Sequence, residues 1–161
     1  MDTGDEEFHE LFFGHAARVT RLATLLGAED PEDVAAESFC RLYAARSRLR
    51  GQETDIVAYL NRIVVNDVRD RARRRRTAQE RAHLLAAAVV PPPAGAEGNR
   101  VAVITALRSV PERQREALVL RFWLDLPLAG VADAMGVRTG TAKSLVSRGL
   151  ASLEKHLEDR G

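Results

Sequence analysis

The chain has 161 residues, of which 45% are hydrophobic and 5% aromatic, and its 24 basic and 23 acidic side chains leave a net charge of only +1. This composition excludes wholesale disorder and allows one ordinary domain or two small ones with an aliphatic core. The single cysteine excludes an internal disulfide, and no apolar run approaches the roughly 20 residues that span a bilayer.

The composition favours an all-α fold, because Ala and Leu are strong helix formers and the β-branched residues do not alternate. The N-terminus MDTGDEEFHE is acidic where a secretory signal would be basic, so we expect a cytoplasmic protein. Three consecutive prolines and two glycines in Pro91–Asn99 cannot continue a helix. We therefore predict two small helical domains, at 1–80 and 100–161, joined by a flexible linker at 81–99.

Three helices are predicted in the first domain. Apolar residues at three- and four-residue steps predict a helix over 8–26, with His15 packed in its apolar stripe and Gly27 as its stop. An Asp-Pro start with following acids predicts a second helix over 31–47. A third helix begins near 55 and continues into a run of arginines.

This run is the most unusual segment of the chain. Six of the eight residues from Arg69 to Arg76 are arginine, and Asp70 is the only acid among them. Most charge runs are solvated helix ends. The arginine fork, however, binds phosphate oxygens bidentately, and clustered cations repel one another without an anionic partner. We interpret the run as a nucleic-acid-binding helix.

The second domain ends in a predicted helix-turn-helix. Helices are expected over 101–109 and 111–123, then over 128–135 and 139–157 around a turn at Gly136–Arg138. The inward side of the last helix should carry Val137, Ala142, Leu145 or Val146, Leu150 and Leu153. Its start offers hydroxyl and cationic side chains that can reach phosphates and base edges: Arg138, Thr139, Thr141, Lys143, Ser144, Ser147 and Arg148.

No catalytic constellation accompanies these segments. The four histidines have no ligand-like spacing, and there is neither a phosphate-binding glycine loop nor a nucleophile elbow. Helical spacing scatters the acids of the segment 29–38 around an axis, which argues against a metal site. We expect a protein that is not an enzyme and has no cofactor, bound metal or small-molecule substrate.

Three segments in this order resemble the extracytoplasmic-function sigma factors of bacterial RNA polymerase. Residues 32–43 resemble the helix that docks on the polymerase clamp, 58–76 the helix that engages the minus-ten promoter element, and 106–153 the domain that binds the minus-thirty-five element. The resemblance implies a sigma factor that brings core RNA polymerase to specific promoter DNA. Such factors are commonly held by an anti-sigma factor.

The resemblance also implies which residues make the contacts. The seven helix-turn-helix residues listed above are those expected on the minus-thirty-five element. Those expected on polymerase are Asp33, Glu37 and Arg41. Those expected on the minus-ten element are Tyr59, Arg62, Asn66, Arg69, Arg73, Arg74 and Arg76. Asn66, Asp70 and Arg73 match a family pattern in which the first bonds an extruded base and Asp70 orients an arginine. The loop at 49–54 occupies the place where that base is captured.

Four positions depart from the family pattern. Ala36 replaces a frequent glutamine, Tyr59 a tryptophan, Gly130 a glutamate, and Leu145 an arginine. We expect the Leu145 departure to remove one DNA contact.

Two other functions fit the same helices. A conventional regulator would use the helix-turn-helix alone, on a palindromic operator, and a helical adaptor would bind another protein and no DNA. The apolar stretch His83–Val90 could serve a partner, thread into polymerase or extend a helix.

Overall fold

The computed structural model describes residues 3–49, 51–81 and 98–160. Within these ranges the chain forms seven α-helices and no strand, which confirms the all-α prediction. The helices are α1 (Thr3–Leu25), α2 (Pro31–Ala45), α3 (Glu53–Arg81), α4 (Gly98–Ser109), α5 (Glu112–Leu118), α6 (Leu128–Met135) and α7 (Thr139–Glu158). We call α1–α3 the first lobe and α4–α7 the second lobe. The stretch His83–Val90 and most of Pro91–Asn99 lie outside the described residues.

The junction between α1 and α2 follows from its local sequence. Gly27 adopts the left-handed conformation, with φ of 96°, and the Ala28 N–H donates to the Ala23 carbonyl, which ends α1. The Asp30 side chain then accepts the Asp33 N–H at 3.1 Å, with Pro31 at the first helical position. This tight turn packs α1 against α2.

The helix α3 is the longest in the described ranges, with 29 residues. Its first half contributes fully buried apolar side chains, including Leu60, Val64 and Val65, to the core between α1 and α2. Its second half carries the arginine run. The helix therefore begins as a core element and ends as a charged arm.

The second lobe contains the predicted helix-turn-helix. The turn between α6 and α7 is made by Gly136 in the left-handed conformation, with φ of 68°, and the Val137 N–H donates back to the Ala132 carbonyl. The segment expected as one helix over 111–123 changes at its end. Val119–Trp123 forms a π-helical turn, in which the Leu124 N–H donates to the Val119 carbonyl at 3.2 Å.

The inward side of α7 differs from the prediction at one position. Leu150 is 45% exposed, whereas Gly149 is buried. A Cβ on Gly149 would lie 2.8 Å from the Leu118 Cγ atom of α5. The absence of a side chain at Gly149 lets α5 and α7 approach closely, and this places Leu150 on the solvent side.

The two lobes pack against each other. Buried apolar side chains of both lobes form one continuous cluster, and α3 lies against α6. This contact brings the charged arm of α3 beside the second lobe. None of the helices in the described ranges is long and apolar enough to cross a membrane.

Candidate nucleic-acid interface

Most of the residues predicted for the minus-ten element lie along one side of α3. Steps of three and four residues align them on the helix, and Arg74 lies beside this line. The aligned residues are Tyr59, Arg62, Asn66, Arg69, Arg73 and Arg76. Asn66, Arg73 and Arg74 are exposed, whereas Tyr59 is partly buried against the core.

Three arginines on this side, at seven-residue steps, bind carboxylates of the second lobe. Arg62 donates to Asp133 of α6 at 2.7 Å, and Arg76 donates to Glu112 of α5 at 3.0 Å. Between them, Arg69 meets Glu116 of α5. We call Arg62, Arg69 and Arg76 the arginine row, and Glu112, Glu116 and Asp133 the acidic row.

The central pair of the two rows is buried and bidentate. The Arg69 Nε and Nη2 atoms donate to the two Glu116 carboxylate oxygens at 3.0 and 2.8 Å, and the side chains are only 18% and 5% exposed. Arg113 donates to the same carboxylate at 2.8 Å. The hydrogen bonds to Glu116 raise the pKa of Arg69 despite its burial. Glu116 therefore holds two cations at the boundary between the lobes.

Two further arginines of the run turn toward the first lobe. Arg71 donates to Asp67 at 2.9 Å and to Asp33 at 2.6 Å, and Arg75 lies 2.9 Å from Glu29. The hydrogen bond with Asp33 is the main cause of the raised pKa of Arg71. The run thus has intramolecular anions for much of its charge, which the charge pattern alone did not indicate.

The residues predicted to bind polymerase lie together on α2. Asp33 is on its first turn, and Glu37 accepts a hydrogen bond from Arg41 at 3.2 Å. All three are exposed, and Arg41 also lies 3.6 Å from Asp67. Asp67 is only 2% exposed. It lies between Arg41 and Arg71 and pairs with both. No feature of the sequence pattern marked it as a site residue.

The seven residues predicted for the minus-thirty-five element lie at the start of α7 and along its outer side. All seven are exposed. Ala142 is fully buried, and Leu145 and Val146 pack partly against the core. Leu145 is therefore engaged in packing at the position where the family pattern has arginine. The buried residues fix α7 against α5 and α6, so its polar side faces outward.

A cleft lies at the loop where the resemblance places base capture. Its volume is about 710 Å³, and it is bounded by the starts of α1 and α3 and the end of α2. Phe8, Leu11 and Ile56 form apolar walls, and His15 and Glu53 line it as well. A cleft that combines apolar walls with polar groups suits a flat base with hydrogen-bonding edges.

His15 is held by a polar cluster beside this cleft. Its Nδ1 atom accepts a hydrogen bond from Arg18 at 3.2 Å, and its Nε2 atom lies 3.5 Å from Glu53. Arg18 also donates to the buried Asn61 at 2.9 Å, and burial lowers the pKa of its guanidinium. His15 is thus a partly buried, hydrogen-bonded residue of the α1–α3 contact.

Arg115 of α5 bridges the lobes through backbone carbonyls. It donates to Leu26 after α1 at 3.1 Å, and to Leu107 and Val110 around the end of α4 at 2.8 and 3.0 Å. Helix C-termini present unpaired carbonyls and partial negative charge, which suit a guanidinium. Desolvation lowers the pKa of Arg115. Neither the periodicity nor the motifs of the sequence indicated this role.

No group of three or more His, Cys, Asp or Glu side chains within the described residues could hold a metal ion. Cys40 is exposed on α2.

Comparison with known proteins identifies both halves of the chain. Residues 6–78 match the family model for sigma-70 region 2, and residues 100–153 match the model for sigma-70 region 4. The ECF RNA polymerase sigma factor SigM of Mycobacterium tuberculosis is 31% identical over 152 residues, which covers 93% of this chain and 76% of SigM. The ECF RNA polymerase sigma factor SigE of Mycolicibacterium smegmatis is 32% identical, and the match covers 96% of this chain and 65% of SigE.

Solved structures share the fold. Sigma factor RpoE from Bartonella quintana, in complex with the anti-sigma factor NepR, superposes with a TM-score of 0.79 at 20% identity, covering 95% of this chain and 98% of RpoE. CnrH, in complex with the cytosolic domain of CnrY, superposes with a TM-score of 0.72 at 22% identity, covering 98% and 91%.

Proposed function

This chain belongs to the extracytoplasmic-function branch of the sigma-70 family, and from that membership we propose that it directs core RNA polymerase to a restricted set of promoters. The observation that carries the proposal is the exposure of Arg73 and Arg74 on α3 and of the polar outer side of α7, two separate surfaces that suit DNA. The role is not catalytic, because the polymerase performs the nucleotide chemistry. Its place is the cytoplasm, where polymerase and promoter meet.

Polymerase is proposed to dock on α2 through Asp33, Glu37 and Arg41. Their exposure on one helix supports this role, as does the resemblance of 32–43 to the clamp-binding helix. Asp67 would act as a positioning residue, since it holds Arg41 from beneath.

The minus-ten element is proposed to bind along α3. Arg73 and Arg74 are exposed and suit backbone phosphates, and Asn66 offers an amide for an extruded base. The cleft beside the loop at 49–54 would take up that base. Tyr59 supplies an aromatic ring for stacking, in place of the usual tryptophan.

The minus-thirty-five element is proposed to bind the outer side of α7. Its hydroxyl residues and Arg138, Lys143 and Arg148 suit a major groove, where phosphate contacts set the position and base contacts set the sequence preference. We propose that the domain at 1–80 binds polymerase and the minus-ten element, that 81–99 is a linker, and that the domain at 100–161 binds the minus-thirty-five element. The two matched family regions support these limits.

We also propose that an anti-sigma factor controls the chain. Bartonella quintana RpoE, which shares the fold, was solved with such a partner. A bound anti-sigma factor would keep polymerase and promoter away from α2 and α3.

Transcription from genomic fragments of the source organism tests the function. The reaction contains core polymerase with the wild-type chain or with the exposed-site variant Arg73→Gln/Arg74→Gln/Arg148→Gln. We expect discrete promoter-dependent transcripts with the wild type and a loss on the order of tenfold or more with the variant, because three phosphate contacts are removed. The matched control neutralises three other exposed arginines, Arg21, Arg108 and Arg160. Wild-type protein that yields no promoter-dependent transcript refutes the proposal.

A gel shift with and without core polymerase separates the competing functions. A sigma factor needs polymerase for specific promoter binding, whereas a conventional regulator binds an operator alone. An adaptor binds no DNA in either case.

A further inference from the structure

The arginine row of α3 is covered by carboxylates of the same chain. Its members lie seven residues apart, which is about 10 Å along a helix, and each meets one acid of the second lobe. The three contacts are 2.7 Å at Arg62, 2.8 Å at Arg69 and 3.0 Å at Arg76. Three matched pairs in a line make a complementary surface.

These carboxylates use guanidinium donors that a DNA phosphate would also need. A carboxylate and a phosphate bind the same fork of a guanidinium. Glu116 uses the Nε–Nη2 edge of Arg69, which faces the second lobe, with one hydrogen bond to each carboxylate oxygen. Arg69 therefore cannot bind a phosphate bidentately there until Glu116 has left.

The contact between the lobes extends beyond the ion pairs. Arg115 joins α5 to the end of α1 through the Leu26 carbonyl, and the apolar cluster continues from α3 into α6. Gly27 accommodates this bridge, because a Cβ there would collide with the Arg115 Nη1 atom. The second lobe is thus seated on the first by polar and apolar contacts together.

We propose that the acidic row of the second lobe inhibits the chain's own minus-ten-binding helix by standing in for DNA phosphates. The inference rests on the proposed function, since it assumes that the arginine row binds DNA. The closed chain has low affinity for DNA, and separation of the lobes exposes the row.

The test uses the full chain with the acidic row neutralised, as Glu112→Gln/Glu116→Gln/Asp133→Asn. Donor and acceptor dyes on Cys40 and on a cysteine introduced by Ala151→Cys, both exposed, report the distance between the lobes. Affinity is measured by fluorescence anisotropy with a single-stranded DNA oligonucleotide of mixed sequence. Energy transfer should fall in the variant, and affinity should rise on the order of tenfold as three arginines gain phosphate partners.

The matched control changes net charge equally at exposed positions away from the row, as Glu154→Gln/Glu158→Gln/Asp159→Asn. Its affinity should rise by less than about threefold, because these charges are screened from α3. Adding Arg62→Gln, Arg69→Gln and Arg76→Gln to the acidic-row variant should abolish its gain. Equal gains in the two triple variants, or unchanged energy transfer, overturn the proposal.

A charge exchange at an exposed pair tests the closure without disturbing the buried Glu116. Asp133→Arg should lower energy transfer by opposing Arg62, and Arg62→Asp in the same chain should restore it. Failure of the exchange to restore transfer counts against the pair as a closing contact.

The two proposals fail in different ways. Lobes that open without any gain in DNA affinity overturn the inhibition, while polymerase-dependent transcription by the wild type still supports the sigma function. Lobes that open while the wild type directs no transcription refute the sigma function.

Discussion

Asp67 and Glu116 are buried carboxylates that each hold two arginines. Asp67 receives Arg71 at 2.9 Å and lies 3.6 Å from Arg41. Breaking a buried pair from the acid side leaves cations without their anion, which is more destabilising than losing a surface pair. These two acids are therefore the residues at which electrostatics should affect folding.

Asp67→Ala should lower the free energy of unfolding by about 1–3 kcal/mol, because Arg41 and Arg71 lose a buried acceptor and water replaces only some of the lost hydrogen bonds. Asp33→Ala removes the exposed partner of the same Arg71 and should cost less than about 1 kcal/mol. Urea unfolding of the two variants measures both values. Equal losses of unfolding free energy in the two variants would show that the burial of Asp67 does not strengthen its ion pairs.

Gly149→Ala should destabilise the chain by about 1–3 kcal/mol, because the new methyl group would lie 2.8 Å from Leu118 and must push α5 and α7 apart. Gly140→Ala in the same helix meets nothing within 4 Å. It should stabilise the chain by about 0.5–1 kcal/mol through the lower entropy of the unfolded state. Thermal unfolding of both variants gives the comparison, and a stabilising Gly149→Ala would contradict the close approach.

At the scale of helices, α3 distributes its arginines over different surroundings. Arg71 and Arg75 face acids of the first lobe, the arginine row faces the second lobe, and Arg73 and Arg74 are exposed. The arginines of one run should therefore contribute unequally to DNA binding.

Arg74→Gln should reduce the slope of log affinity against log salt concentration by about 0.9 on duplex promoter DNA, measured with polymerase present, because one phosphate contact is lost. Arg75→Gln, one residue further along α3, should leave the slope nearly unchanged because Arg75 already pairs with Glu29 at 2.9 Å. Similar slopes for the two variants would mean that the pairing with Glu29 yields to DNA.

Helix positions that depend on local signals could be predicted from the sequence. Gly136 and the periodicity of the following residues gave the turn and the limits of α6. The π-helical turn at Val119–Trp123 has no such local signal. The sequence also could not show that Gly149, and not Leu150, faces inward, because this depends on how closely α5 approaches α7.

The ion pairs of the candidate site were not predictable in the same way. Arg69 and Glu116 are 47 residues apart, and a charge pattern cannot show which acid a distant arginine will meet. Four of the six arginines of the run pair with acids of the same chain, so the run has less free charge than its sequence indicates. The prediction that the run and the helix-turn-helix serve DNA rests on exposed residues and stays a prediction for each of them.

For the whole molecule, Arg115 is the polar bridge between the lobes. Arg115→Ala should lower the free energy of unfolding by about 2–4 kcal/mol, because carbonyls at the ends of α1 and α4 lose a charged donor. Arg108→Ala removes an exposed guanidinium nearby and should stay within about 0.5 kcal/mol of the wild type. Chemical denaturation measures both, and an Arg115→Ala chain as stable as the wild type would show that the bridge contributes nothing.

Glu116 has a second partner that matters when the lobes part. Arg113, three residues earlier in α5, is bonded to the same carboxylate at 2.8 Å and stays with it if α3 departs. No uncompensated acid is then stranded in an apolar setting. Under the proposed opening of the lobes, Arg113 leaves the Glu116 carboxylate paired, so the contact with Arg69 can re-form without passing through an unpaired buried charge.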